Sequence, residues 1–158
     1  MAININHQTD TICATGGTLN LPDFSAAGFS QDSQGNLVAG TGAGAAKDAD
    51  TCFNIMLGCN SGAVLCAGDH NIFMGQDAGS SATDGGYNLL FGKRTGCSIT
   101  TGSQNIILGS NAGKGVSTTG HNIILGSSTV QSSTTSCANI GLGLEAGYSL
   151  ASGRHNVL

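Results

Sequence analysis

The chain has 158 residues, 26 of them Gly, with one Pro, no Trp and only 9% charged residues, far below the ~25% charge of ordinary soluble domains and poor in helix-forming material. Its net charge of -4 comes from nine acids against five scattered bases (Lys47, Lys93, Arg94, Lys114, Arg154), which argues against a nucleic-acid partner. No apolar run approaches the ~20 residues of a membrane span, and the first residues lack the basic flank and apolar stretch of a signal peptide, so membrane insertion is not expected and synthesis in a cytoplasm is.

Residues 1–50 read as a small irregular β module with a linker. Ile3 and Ile5, then Thr9 to Ile12 and Thr18 to Leu21, predict short strands broken by Gly16-Gly17 and Pro22. Gln34-Gly35-Asn36 ahead of Leu37-Val38-Ala39-Gly40 reads as a tight hairpin turn, or as a degenerate opening repeat displaced by one residue. Ala45 to Asp50 reads as a small polar linker. An irregular head on a regular rod would serve to anchor the rod at one end.

From residue 51 onward the chain is a tandem repeat. Asn recurs at 54, 71, 88, 105, 122, 139 and 156, always 17 residues apart, and Gly follows four residues after each of the first six. The repeat-defining pairs are Asn54 and Gly58, Asn71 and Gly75, Asn88 and Gly92, Asn105 and Gly109, Asn122 and Gly126, and Asn139 and Gly143. A second Gly stands four residues further on (Gly62, Gly79, Gly96, Gly113, Gly147), with Val130 as the exception, and a third closes most units (Gly68, Gly85, Gly102, Gly120, Gly153). Three apolar residues between Asn and Gly are far too few for a helix and predict a short strand. The Gly positions predict either positive φ or the close passage of another backbone.

Ile55, Ile72, Leu89, Ile106, Ile123 and Ile140 form one column. Leu57, Met74, Phe91, Leu108, Leu125 and Leu142 form a second of the same parity, hence on the same face. The residue between them is also apolar except at Gly141, so both faces of each strand require cover. A thin solenoid covers only its inner face, and identical chains around an axis are the simplest cover for the other. The Asn column is read as a side-chain amide ladder.

Other chemistry is weakly indicated. His70, His121 and His155 share the position before Asn, with Tyr87, Gln104 and Ala138 between them, and are read as surface or turn residues and not as metal ligands. Asp69, Asp77, Asp84 and Glu145 are read in different phases of the repeat, so no paired acid and base, no catalytic residue and no cofactor is expected. The Thr pairs at 100–101, 118–119 and 134–135 drift in register, which disfavours an ice-binding lattice. The six cysteines are read as small buried thiols.

The unit Asn105-Ile-Ile-Leu-Gly-Ser-Asn-Ala-Gly and the Thr-Thr-Gly-His-Asn122 that leads into the next unit resemble the repeats of bacteriophage tail fibres. More distantly, they resemble the heads of trimeric autotransporter adhesins. Ile5 to Leu21 is similar to N-terminal regions of structural proteins from viruses of cyanobacteria. The resemblance implies an all-β fold, a β-solenoid or β-prism-like fibre shaft of 17-residue repeats that is homotrimeric. Its implied setting is the virion tail, with residues 1–50 docking on tail or baseplate proteins. Since the chain stops inside a repeat at Leu158, a longer polypeptide with a receptor-binding C-terminal region is expected. The alternative is a trimeric cell-surface adhesin head that binds a ligand directly.

Overall fold

The structure is a computed structural model that describes residues 3–6, 11–14, 30–132 and 137–158. Its strands are β1 (Ile3–Asn6), β2 (Thr11–Ala14), β3 (Ser30–Gln31), β4 (Leu37–Ala39), β5 (Ile55–Leu57), β6 (Ile72–Met74), β7 (Leu89–Phe91), β8 (Ile106–Leu108), β9 (Ile123–Leu125) and β10 (Ile140–Leu142). No helix occurs among the described residues. β1 and β2 pair antiparallel as a separate two-stranded sheet. The strand expected over Thr18 to Leu21 lies outside the described residues.

The rest is a β-solenoid. β4 to β10 lie side by side in sequence order, all parallel, with Ile55 opposite Ile72, Ile72 opposite Leu89, and so on through Ile123 opposite Ile140. Residues 58–71 between β5 and β6 match the length that a parallel return requires, and they make it without a helix. Amide-to-carbonyl bonds between neighbouring coils continue around that return, as from Asn60 N to Thr41 O and from Gly62 N to Ala78 O. A three-residue strand has no stability alone; each rung is held by the rungs on either side.

The solenoid starts ahead of the 17-residue register. Both readings of Gln34 to Gly40 are realised: β3 pairs antiparallel with β4 around the turn, and β4 is the first parallel rung, offset by 18 residues from β5. Ala45 to Asp50 is not a linker, since Gly44 N and Ala46 N bond to Ser61 O and Ala63 O of the next coil. The single extra residue of this first coil hides it from a search at a fixed period.

Parity decides what fills the interior. Asn54 points inward, so Met56 does too, and Met56, Phe73, Leu90, Ile107 and Ile124 form the buried central column. Leu65, Ala82, Ile99 and Val116 face them from the return side. Volumes compensate within a coil: the largest inward side chain, Phe73, shares its turn with Ala78 and Ala82. Gly141, in the inward position of β10, is matched in the same way. A Cβ there would lie 3.1 Å from the Thr129 methyl and 3.2 Å from a methyl of Val130, which stands where other coils have Gly and reaches into the space an Ile would occupy. These two departures from the repeat are therefore one compensating pair.

Candidate functional site

The Asn residues form a continuous buried ladder. Asn71 N and Nδ2 both donate to Asn54 Oδ1 (2.8 and 3.0 Å), and Nδ2 also donates to Gly85 O (2.8 Å). Asn88 repeats this on Asn71 and Gly102, and Asn105 on Asn88 and Thr119. Asn122, Asn139 and Asn156 each donate backbone N to the Oδ1 of the preceding Asn. Thr119 holds the register position of Gly102 in the next coil, so the closing Gly120 stands one residue late; the buried Thr119 Oγ1 lacks a partner among the described residues.

The ladder has a defined first rung. Asn36 N donates to Asp32 Oδ1 (2.9 Å), and Asn36 Nδ2 reaches both carboxylate oxygens at 3.1 Å. Asp32 thus takes the place an upstream Asn would have. Gln34 N also donates to it, and Lys47 Nζ lies 4.0 Å away. Slight burial works to raise the Asp32 pKa, but the bonds from Asn36 and Gln34 and the Lys47 charge outweigh it and leave the carboxyl below its ordinary range.

Glycines 58, 75, 92, 109, 126 and 143 turn the chain out of each strand at φ between +116° and +136°. At Gly58 the requirement is double, because an added Cβ would also lie 2.7 Å from the backbone of Gly75.

The outer face of the sheet carries no charge. Leu37, Ile55, Ile72, Leu89, Ile106, Ile123 and Ile140 form one column, and Ala39, Leu57, Met74, Phe91, Leu108, Leu125 and Leu142 the other; none of these side chains is buried. Phe91 is 50% exposed, Ile106 41% and Leu142 51%. Parallel sheets are ordinarily covered on both faces, and a contiguous apolar surface of this kind marks an interaction site.

Beside that face, at the corner preceding each Asn, runs a column in the left-handed conformation: Phe53, His70, Tyr87, Gln104, His121, Ala138 and His155, with φ from 56° to 63°. Phe53 and His70 lie with ring centroids 5.2 Å apart, and His70 and Tyr87 stack at 4.9 Å and 5°. The left-handed corner costs a residue other than Gly roughly 1–2 kcal/mol, while a ring pair returns about 0.5–1.5 kcal/mol. Three strained corners against two ring contacts leave no net gain in the isolated chain. Sequence reasoning found this column from the histidines but missed Phe53, which has the same phase one coil upstream.

The remaining polar groups are dispersed. Asp69 accepts Cys52 N (2.8 Å), Asp77 accepts Asn60 Nδ2 (3.2 Å), and Asp84 accepts Thr83 Oγ1 (3.3 Å). Contrary to the expectation of four different phases, Asp77 and Glu145 occupy the same left-handed corner, four coils apart. Among the described residues no group of three or more His, Cys, Asp or Glu is placed to hold a metal ion. Burial, with the charge of Asp69 and of more distant aspartates, raises the Cys52 thiol pKa. The expectation of buried thiols fails for Cys59, which is exposed, and for the half-buried Cys52, Cys66 and Cys137; Cys97 is buried, and all five are free. No helix among the described residues is long and apolar enough to cross a membrane.

Comparison with protein families, with curated proteins and with solved structures finds no match to this chain.

Proposed function

We propose that the chain is a structural segment of a self-associating fibre: the N-terminal part of a phage tail fibre, whose solenoid is one strand of a homotrimeric shaft and whose first residues dock on the tail or baseplate. The observation that carries self-association is the uncharged outer face of the seven parallel strands β4 to β10, apolar at every outward position. Association of identical chains covers that face without adding a second surface type. The virion setting rests on the resemblance of the repeat words to tail-fibre repeats, and host attachment follows from that setting.

The test is the native mass of the purified chain by light scattering, with and without reductant. A mass three times 15.6 kDa that survives reductant supports the trimer. A stable monomer across the micromolar range sinks it. For the virion setting, antibodies raised against residues 36–158 should decorate tail appendages of particles in electron micrographs; labelling of a cell surface alone would favour the adhesin reading instead.

A further inference from the structure

Every coil needs a left-handed corner ahead of its Asn, and a scaffold alone is best served there by Gly or Asn. Gly35 holds the first such corner, and Gln104 and Ala138 hold later ones without a ring. Phe53, His70 and Tyr87 instead place three rings on consecutive rungs, with Phe53 61% and Tyr87 62% exposed. Gln104 and Ala138 bear the same corner strain without a ring, so what sets this stretch apart is not strain but large, solvent-exposed rings stacked on three consecutive rungs.

We infer that the Phe53–His70–Tyr87 column is the aromatic anchor of the contact between copies of this chain. The inference rests on the self-association proposed above and specifies which residues dominate it.

Two arguments select a second copy as the occupant. The rings climb with the rung spacing of about 4.8 Å, and a second solenoid presents equivalent groups at that same period, which the surface of an unrelated globular protein does not. The area points the same way. Seven strands of three residues offer roughly 350 Å² of flat face, against about 800 Å² per partner in a stable complex. The two outer rings, Phe53 and Tyr87, of a kind that bury about 150–250 Å² each, roughly double the contact. Aromatic side chains are also the usual energetic centres of such contacts.

Replacing both outer rings by Asn tests this without threatening the fold, because Asn tolerates the left-handed corner. In sedimentation equilibrium of the full chain, Phe53→Asn with Tyr87→Asn should weaken association by about ten-fold or more, with unchanged far-ultraviolet dichroism and a coil no less stable to heat. Gln104→Tyr, which extends the column by one ring, should tighten association. Wild-type affinity in both variants overturns the anchor while leaving self-association standing. A wild-type chain that is itself monomeric overturns both.

Discussion

From Asn54 to Asn139 each carboxamide accepts from the next Asn through Oδ1 and donates through Nδ2 to the preceding Asn, and in most rungs Nδ2 also donates to a carbonyl that closes its own coil. Asn88→Ala therefore removes the two bonds donated by Nδ2 and the two accepted by Oδ1. The loss is expected to be about 2–4 kcal/mol in denaturant unfolding, since it leaves buried backbone groups without partners. Asn88→Asp is the sharper case. The carboxylate still accepts from Asn105 but faces Asn71 Oδ1 and Gly102 O, so its folded pKa is raised above the unfolded value. Such a group is least harmful when protonated: this variant should be closest to wild type in acid and lose stability as pH rises from about 3.9, the unfolded value, to the raised folded value. An equal deficit at pH 4 and pH 8 would contradict the ladder geometry. Asp32 has the opposite sign. Its depressed pKa contributes stability above about pH 3.9, the unfolded value, which is lost as pH falls through the folded value. Asp32→Asn keeps an acceptor for Asn36 and should flatten that acid limb, read as amide hydrogen exchange at Asn36 and Asn54.

At the scale of the strand and its return, the repeat is tolerant only where two positions change together. Val130 at φ +52° is strained for a β-branched side chain, yet it fills the volume that Gly141 leaves open. Val130→Gly alone should open a cavity and cost about 1–3 kcal/mol, and Gly141→Ile alone should overpack by a similar amount. The double variant restores the pattern of the other coils and should recover most of both losses. A thermal double-mutant cycle checks this; additive losses would show that the two sites do not share one space.

For the whole molecule the governing feature is the uncovered sheet face. Ile106→Lys with Phe91→Lys replaces two outward side chains that support nothing inside the coil, being 41% and 50% exposed. The variant should keep its fold and associate at least ten-fold more weakly by sedimentation, since charges buried in an apolar contact go uncompensated. Unfolding of this variant at wild-type concentrations would mean instead that the face belongs to the coil's own stability.

The period of 17 by itself determined the coil, the place of strands β5 to β10 and the identity of the ladder residues from Asn54 onward, because a solenoid repeats one backbone path and selects the same residue wherever that path turns or closes a hydrogen bond. Which apolar column is the core could not be read from hydrophobicity, as all three positions of each strand are apolar. A link was nonetheless available, since an internal Asn ladder places the residue two positions on, Met56 or Phe73, inside as well. The 18-residue first coil, the substitution of Asp32 for an upstream Asn and the pairing of Val130 with Gly141 were decided only by tertiary structure. Each depends on atoms far apart in sequence that stacking brings together, and a column read at fixed spacing registers such compensation only as an exception.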